Sequence, residues 1–443
     1  MLNNNGFQDL NLQAHWLPFS ANRNFHQDPR IIVAANGPNL IDQHGREIYD
    51  SLSGLWTCGL GHCVPEITQA VSKQLATLDY SPGFHFAHPL SFQLAERIVD
   101  WMPEGLNHVF FTDSGSESTD TAIKIAKAYW RVQGTPSKSK IIGRARGYHG
   151  VNIGGTSVGG IGGNRKMFGQ LMDADHIPHT LQTDKAFTKG MADEGGVALA
   201  NEMLKLIELH DASNIAALIV EPVSGSAGAL VPPQGYLQRL REICDQHNIL
   251  LIFDEVITGF GRLGTKTGAA YFGVTPDLLC FAKQITNGAI PLGGVVASSE
   301  IYNAFMQQNL PPHAIEFTHG YTYSAHPVAC AAALATLDVI EDQGFIQQSA
   351  ALSSGFEASL HQLKSCPNVI DIRNCGLIGA VQISPRDGDP TIRPFEIGMR
   401  LWKAGFYVRF GGDTLQFGPM FNSKQADLDR VFDVVSDNLH QID

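Results

Sequence analysis

Residues 249–264, ILLIFDEVITGFGRLG, and residues 275–288, TPDLLCFAKQITNG, are the stretches that decide the fold of this chain. The first begins with an apolar run that ends at Asp254, which is typical of a buried parallel strand with a carboxylate at its carboxyl end. The second contains a shorter apolar run, residues 278–282, that ends at Lys283 and is followed by an Asn-Gly turn. Ligands of open α/β sheets bind at the carboxyl ends of strands, so we expect both side chains at one ligand site.

An acid and a lysine at this edge of a sheet suit pyridoxal phosphate as the cofactor. In that chemistry the lysine holds the cofactor as a Schiff base, and the acid keeps the pyridine nitrogen protonated so that the ring accepts electrons. Taken singly, Lys283 is typical of a solvated strand end, and Asp254 is typical of a turn or a helix cap. The prediction therefore depends on their combination.

The two stretches together resemble the signature of the class III aminotransferases, which belong to the fold-type I pyridoxal phosphate enzymes. The resemblance is carried by Phe253-Asp254-Glu255-Val256, Gly259, Gly261-Arg262, Gly264, Pro276-Asp277, Ala282-Lys283 and Asn287-Gly288. It extends over most of the chain, from about Leu52 to Phe421, and is closest to the omega-amino acid–pyruvate (β-alanine–pyruvate) branch of the family.

Composition and charge exclude several other classes of protein. The chain has 443 residues, of which 44% are hydrophobic and 17% are charged, as in a globular protein with a sizeable core. The net charge of −12 argues against nucleic acid or an anionic membrane surface as a partner. No apolar run approaches the ~18 residues of a membrane helix, and the amino terminus lacks the pattern of a signal peptide.

The seven cysteines are scattered and odd in number, which favours reduced thiols in a cytoplasmic protein. Residues 58–63, CGLGHC, bring two cysteines and a histidine close together. No second pair of ligands stands nearby in the sequence, so we favour small buried thiols over a zinc site. No metal is expected.

The order of elements predicts an α/β fold with two parts. Strand-like and helical segments alternate through residues 61–326, which implies βα units and a mostly parallel sheet. A long Ala-rich helix from Pro327 then leads into a strand-rich end. With the resemblance, this predicts the fold-type I PLP-dependent transferase architecture. A large α/β domain comprises residues 61–326, and a smaller α+β domain comprises residues 327–443 with a contribution from residues 1–60.

Ser114, Gly115 and Ser116 follow the strand-like run HVFF and begin a predicted helix. A helix N-terminus offers free N–H groups and the positive end of a dipole, and the serines add hydroxyls, so this is a candidate phosphate site. An ordinary capping box, with Ser114 as the cap and Glu117 three residues later, is the alternative. The resemblance implies that the loop binds the cofactor phosphate through Gly115 and Ser116.

Three further residues are candidates for binding the cofactor ring. The resemblance implies that Tyr148, which follows the strand KIIGR, stacks on the ring and that Val256 lies on the opposite face. In isolation they would be a half-buried loop tyrosine and an ordinary core valine. Glu221, at the end of the strand AALIVEP, is either a simple strand end or a hydrogen-bond partner near the O3′ edge of the cofactor.

The resemblance also implies roles for residues that bind the substrate and the partner subunit. Trp56 would form a wall of the substrate site, Arg409 would bind a carboxylate through two hydrogen bonds, and Gln416 would lie beside them. Otherwise a core tryptophan and an exposed strand arginine would be expected. Thr322 would reach the cofactor phosphate of a partner subunit, which implies a homodimer at least and leaves a homotetramer open.

The implied activity is ping-pong transamination with Lys283 as general base and acid. The expected donor is a β-alanine-like omega-amino acid or a primary amine, which becomes an oxo acid, aldehyde or ketone. Pyruvate is the expected acceptor and becomes L-alanine. The resemblance implies that many relatives that use 2-oxoglutarate carry arginine where this chain has Val151, and that some carry glutamate where it has Ser226. An aminomutase or decarboxylase of the same fold, or a non-catalytic nucleotide-binding protein, are the alternatives.

Overall fold

Residues 10–443, which the computed structural model describes, form three β-sheets surrounded by helices. The strands are β1 (Ile32–Asn36), β2 (Asn39–Asp42), β3 (Glu47–Asp50), β4 (Leu106–Thr112), β5 (Lys140–Arg144), β6 (Ala174–Ile177), β7 (Ile215–Val220), β8 (Leu250–Asp254), β9 (Leu278–Phe281), β10 (Gly293–Ser298), β11 (Val369–Cys375), β12 (Ile378–Ile383), β13 (Phe406–Tyr407), β14 (Arg409–Gly411) and β15 (Thr414–Phe417).

The α-helices lie between and after these strands. They are α1 (Asn22–Gln27), α2 (Ser53–Trp56), α3 (Pro65–Thr77), α4 (Pro89–Val99), α5 (Gly115–Val132), α6 (Ile153–Val158), α7 (Gly162–Phe168), α8 (Gly196–Ala200), α9 (Glu202–His210), α10 (Tyr236–Gln246), α11 (Gly268–Phe272), α12 (Ser299–Met306), α13 (Pro327–Asp342), α14 (Phe345–His361), α15 (Ile392–Lys403) and α16 (Gln425–His440).

The largest sheet has seven strands in the order β4-β10-β9-β8-β7-β5-β6. Strands β9, β8, β7, β5 and β6 pair in parallel, whereas β10 pairs antiparallel with both of its neighbours, β4 and β9. The prediction of a mostly parallel sheet is confirmed. The exception has a simple cause, because the short connection from β9 to β10 leaves no room for the helical crossover that a parallel neighbour requires.

This sheet is buried on both faces, which explains why its strands read as continuous apolar runs. In β8, Leu251 and Phe253 pack into the core on one face, whereas Leu250 and Ile252 pack into the core on the other face. Helix α5 covers the second face and contacts β9 and β10, and α10 contacts β8. Packing on both faces therefore fixes the position of the sheet, and with it the position of the side chains at its carboxyl edge.

The two smaller sheets join distant parts of the chain. One contains β11, β12, β15 and β14, all in antiparallel pairs. The other places the N-terminal strands β1, β2 and β3 beside β13, with Tyr49 opposite Phe406 in a parallel pair. This pairing joins the N-terminal segment to β13, and the assignment of that segment to the smaller domain stays a prediction.

The boundaries at residues 60 and 326 stay predictions. Helix α13, which begins at the second of these boundaries, packs against α3 and α4. Residues 1–9 of the predicted N-terminal segment lie outside the described residues, and they include most of the amino terminus that lacks the pattern of a signal peptide. Within residues 10–443, none of the helices is both long enough and apolar enough to cross a membrane.

Candidate active site

Asp254 and Lys283 meet at the carboxyl edge of the seven-stranded sheet. Strands β8 and β9 are parallel neighbours, with Asp254 opposite Cys280 in the register. Lys283 begins a short 3₁₀ turn directly after β9 and has a positive φ of 54°. Both side chains line a cavity of about 170 Å³, so the first expectation from the sequence agrees with the geometry.

The carboxylate of Asp254 is held by two hydrogen bonds. Its Oδ2 lies 2.8 Å from Nδ1 of His149, and its Oδ1 accepts a bond of 3.1 Å from the backbone N–H of Val256. Asp254 and His149 are 6% and 1% exposed, respectively. A buried carboxylate that is oriented on both oxygens is suited to hold a cationic partner in the cavity.

The N-terminus of α5 opens into the same cavity through Gly115 and Ser116. The hydroxyl of Ser116 accepts a hydrogen bond of 3.1 Å from the backbone N–H of Val151. Gly150 has a φ of 89°, and a side chain there would collide with Ser116. A Cβ atom on Gly115 would lie 2.9 Å from Val256. These glycines keep open a cradle of N–H groups at a positive helix end.

Ser114 has a different position from its two neighbours. Its hydroxyl accepts a hydrogen bond of 3.3 Å from the N–H of Glu117, and the Glu117 carboxylate accepts one of 2.7 Å from the N–H of Asp113. This is the capping arrangement that the sequence also allowed. Ser114 is absent from the residues that line the cavity, so its contact with a cofactor stays a prediction.

Tyr148 and Glu221 form another wall of the cavity. The backbone N–H of Tyr148 donates a hydrogen bond of 3.1 Å to Oε1 of Glu221. Burial raises the pKa of both side chains, and Glu221 is only 4% exposed. A buried carboxyl with a raised pKa is able to donate a hydrogen bond as well as accept one. Val256 lines the same cavity, as the predicted pair of ring-contacting residues requires.

The amine of Lys283 is tuned by its surroundings. Burial lowers its pKa to about 8, although the nearby carboxylate of Asp254 acts in the opposite direction. The positive charge of Arg409 lowers the pKa further. A lysine in this range supplies a substantial fraction of neutral amine near neutral pH, as a nucleophile or a general base requires.

Trp56, Arg409 and Gln416 form a cluster beside the cavity rather than part of its lining. The Arg409 guanidinium lies 5.7 Å from the ring centre of Trp56, and Arg409 is opposite Gln416 in the β14–β15 pair. Gln416 donates a hydrogen bond of 3.1 Å to the backbone oxygen of Ser226. Arg409 forms no ion pair with any residue in the described part of the chain. Its charge is therefore available to a ligand.

Thr322 does not enter this cavity within the single chain. It is exposed on a loop before α13, and its backbone oxygen accepts a hydrogen bond of 3.1 Å from the Tyr80 hydroxyl. Its predicted contact with a partner subunit stays a prediction.

Sequence reasoning missed His149, Gly150, Val223 and Ile257 as residues of the site. The missed signal for His149 was its place beside Tyr148 after a strand of the sheet, where side chains converge on the carboxyl edge. Val223 and Ile257 resemble any other core residue in the sequence and become recognisable only through the cavity they line.

These residues fit pyridoxal phosphate. Gly115, Ser116 and Gly150 would hold the phosphate, and Tyr148 and Val256 would enclose the ring. Asp254 would bind the ring nitrogen, and Lys283 would bind the aldehyde carbon. The fit depends on two observations in the fold: the cradle that any side chain on Gly115 or Gly150 would fill, and the oriented buried carboxylate.

Comparisons with known sequences identify the family of the chain. A sequence model of the aminotransferase class-III family matches residues 20–439. The chain is 72% identical to a β-alanine–pyruvate aminotransferase of Pseudomonas aeruginosa over 98% of its own length and 97% of that relative. It is 67% identical to an omega-amino acid–pyruvate aminotransferase of Pseudomonas putida, with the same coverage.

Solved structures with a similar fold are also transaminases. An (S)-enantioselective omega-transaminase from Thermomicrobium roseum has a TM-score of 0.91 and 33% identity, with 97% of each chain covered. An amine transaminase from an uncultivated Pseudomonas species, solved in a PLP-bound form, has a TM-score of 0.88 and 34% identity, with 96% of this chain and 98% of that chain covered.

Proposed function

We propose that this chain, which belongs to the class III aminotransferases and uses pyridoxal phosphate, transfers the amino group of a β-alanine-like omega-amino acid to pyruvate. A related primary amine would serve as an alternative donor. The products are an oxo acid, or an aldehyde or ketone, and L-alanine. The observation that carries the proposal is the state of Arg409, which has no carboxylate partner among the described residues. Its guanidinium lies next to Trp56, and its charge acts on the amine of Lys283.

The bound cofactor supplies an electron sink for the carbon that carries the amino group. Lys283 would move the proton: its amine, with a pKa lowered to about 8, would accept the proton from the donor carbon and deliver it to the C4′ atom of the cofactor. Asp254 would hold the ring nitrogen as a cation, and His149 keeps the carboxylate in position. Glu221 is the polar group available to the ring hydroxyl.

The substrate carboxylate is bound by Arg409. A guanidinium offers two parallel N–H groups to a carboxylate, and the neighbouring indole of Trp56 limits the space beside them. Pyruvate and β-alanine each carry one carboxylate, so one cation serves both half-reactions. This explains how a single site accepts first the donor and then the acceptor.

Selectivity for pyruvate over 2-oxoglutarate follows from two uncharged residues beside the site, Val151 and Ser226. Val151 is exposed and apolar. The family resemblance implies arginine at this position in many relatives that use the longer acid. Ser226 contributes a backbone oxygen to Gln416 and carries no charge. The second carboxylate of 2-oxoglutarate would therefore lack a cation. An unpaired, desolvated carboxylate costs several kcal/mol, which corresponds to about a hundredfold or more in discrimination.

The test is a comparison of kcat/KM for pyruvate and 2-oxoglutarate with β-alanine as the fixed donor and alanine or glutamate as the measured product. We expect pyruvate to be favoured by about a hundredfold. Val151→Arg is the matched variant, and it should raise kcat/KM for 2-oxoglutarate while changing that for pyruvate little. Equal values for the two acceptors in the wild-type enzyme would contradict the proposal. Carbon dioxide or a rearranged amino acid in place of alanine would indicate the decarboxylase or aminomutase alternatives.

The oligomeric state is part of the same proposal. Phe84, Phe86 and Ile315 are large apolar side chains that are each more than half exposed. Phe84 and Ile315 line an open cleft of about 870 Å³ with residues 312–320, on the loop that leads to Thr322. Contiguous exposed apolar surface of this kind favours association, and a second copy of the chain is the proposed occupant.

The state of the cysteines bears on where the protein works. All seven thiols are free, which is typical of proteins in a reducing compartment, so a cytoplasmic location is also proposed.

A further inference from the structure

Two buried amide side chains, those of Gln284 and Asn287, follow Lys283 closely in the chain. They are 2% and 6% exposed, and neither lines the cofactor cavity. Both belong to the lysine turn, residues 283–287, in which Lys283 and Asn287 have positive φ angles of 54° and 48°. A lysine seldom adopts this conformation, so contacts from outside the turn have to hold it. Amides buried away from water also need hydrogen-bond partners.

Gln284 binds the tryptophan loop, residues 57–61, which directly follows Trp56 in the chain. Its Oε1 accepts a hydrogen bond of 2.7 Å from the backbone N–H of Gly59. On the other side, the backbone oxygen of Gly59 accepts one of 2.8 Å from the N–H of Phe421, which lies beyond β15. A Cβ atom on Gly59 would collide with both the Gln284 amide and the Phe421 ring, so three segments meet at this glycine.

Asn287 binds the next two residues of the tryptophan loop. Its Oδ1 accepts a hydrogen bond of 3.0 Å from the N–H of Leu60, and its Nδ2 donates one of 2.8 Å to the backbone oxygen of Gly61. The same Oδ1 accepts a bond of 3.3 Å from Nε2 of Gln284. The two amides therefore support each other, and between them they hold three consecutive residues of the loop.

These contacts connect Lys283 with Trp56. The tryptophan ends α2 directly before the tryptophan loop, is 2% exposed and has a positive φ of 59°. Its ring lies 5.7 Å from the guanidinium of Arg409, which is the proposed ligand of the substrate carboxylate. A shift of the tryptophan loop relative to the lysine turn would therefore change the spacing between the reacting amine and the group that holds the carboxylate.

We propose that Gln284 and Asn287 are positioning residues that hold Trp56 at the distance from Lys283 that a short omega-amino acid requires. The proposal rests on the proposed function, because it concerns the donor of that reaction. β-Alanine has few rotatable bonds, so its two ends fit the site at one spacing only. A longer donor such as 6-aminohexanoate has more rotatable bonds and adjusts to a displaced wall.

The first experiment measures kcat/KM for β-alanine and for 6-aminohexanoate with pyruvate as the acceptor. Asn287→Gly removes the amide but keeps a residue suited to a positive φ. We expect the ratio of β-alanine to 6-aminohexanoate to fall about tenfold. A loss of folded enzyme would lower both values together, so a purely structural effect leaves this ratio unchanged. An unchanged ratio would overturn the proposal.

Asn368→Gly is the matched control variant. Asn368 also has a positive φ, of 64°, and its side chain accepts a hydrogen bond of 3.2 Å from the Ser384 hydroxyl, outside the cofactor cavity. Its donor ratio should equal that of the wild type. Gln284→Met keeps the length of the side chain but leaves the N–H of Gly59 without its acceptor, so the ratio should fall several-fold. A methionine variant with the wild-type ratio would remove Gln284 from the proposal.

The second experiment needs no substrate. Hydrogen–deuterium exchange of the holoenzyme is resolved to single amides of the tryptophan loop. We expect exchange at Gly59 to be at least about tenfold faster in Gln284→Met, and exchange at Leu60 to be at least about tenfold faster in Asn287→Gly, while β8 keeps its wild-type protection. Unchanged protection of both amides would overturn the proposal. If the wild-type enzyme does not use β-alanine, the proposed donor is wrong, and this measurement still decides whether the two side chains hold the loop.

Discussion

His149 Nδ1 and Asp254 Oδ2 lie 2.8 Å apart beneath the cavity, although 105 residues separate them in the chain. Because an ionised carboxylate only accepts hydrogen bonds, Nδ1 carries the proton. The second ring nitrogen, Nε2, is buried and has no hydrogen-bond partner among the described residues. The imidazole therefore acts on the site through Asp254, as a positioning residue.

Asp254→Asn should keep the fold and lose most of its activity. A neutral amide does not hold the ring nitrogen as a cation, so the electron sink weakens. We expect the single-turnover rate with β-alanine to fall more than about a hundredfold, or about 2.7 kcal/mol of barrier. A rate within about tenfold of the wild type would argue against this ion pair.

His149→Gln should lower the single-turnover rate by roughly 10- to 100-fold, because the carboxylate loses one of its two orienting hydrogen bonds. The double variant with Asp254→Asn should be hardly worse than Asp254→Asn alone, since His149 acts through Asp254. Additive losses in this double-mutant cycle would mean that the histidine has a separate role.

Lys283→Ala should still bind the cofactor through its phosphate and ring contacts but lose transamination by several orders of magnitude. Borohydride reduction of the wild-type holoenzyme, followed by peptide mapping, should place the label on the peptide that contains Lys283. Lys266→Ala, a variant of an exposed lysine outside the cavity, is the control and should keep both label and activity. A label on any other lysine would refute the assignment.

The pH dependence of cofactor uptake should report on Lys283. Burial disfavours its ammonium form and lowers its pKa to about 8, so the neutral nucleophile accumulates above that pH. The rate at which cofactor-free enzyme recovers its visible absorbance with pyridoxal phosphate should therefore rise as the pH passes through about 8 and then level off. A rate that keeps rising towards pH 10 would indicate a lysine with an ordinary pKa.

Thr322→Ala should weaken cofactor retention during dialysis if the hydroxyl reaches the phosphate of a partner subunit. Thr135→Ala, at an exposed position after α5 and outside the proposed subunit cleft, should not. The two variants are compared by the fraction of cofactor left after a fixed time, with the oligomeric state checked by light scattering. A stable monomer with full activity would remove the predicted subunit contact.

The large sheet was predictable because its strands are buried on both faces and therefore appear as unbroken apolar runs. Asp254 and Lys283 were predictable because each ends such a run, and parallel neighbours bring those ends together. His149 was missed because its place after the strand KIIGR was the only local signal, and nothing near it in the sequence indicates the distant carboxylate that it supports. The antiparallel direction of β10 could not be predicted from its own residues, because the direction of a strand depends on its connection.

The substrate side of the site was predicted only through the family resemblance. Local patterns around Trp56 and Arg409 are those of a core tryptophan and a strand arginine, and their approach within 5.7 Å depends on how the N-terminal segment meets β14. For Ser114, by contrast, the local sequence pattern was informative. Its capping pattern was visible in the sequence, and the structure uses its hydroxyl for that cap.

The parallel pair between β3 and β13 has a consequence for how the chain is made. Tyr49 leaves the ribosome early, whereas its partner Phe406 is among the last residues to be synthesised. Until then the edge of the N-terminal hairpin is unpaired, and an unpaired edge is open to pairing with another nascent chain. Contacts between such distant residues also form slowly. Yield during expression should therefore depend on how quickly synthesis is completed, and a chain that stops before Phe406 should aggregate.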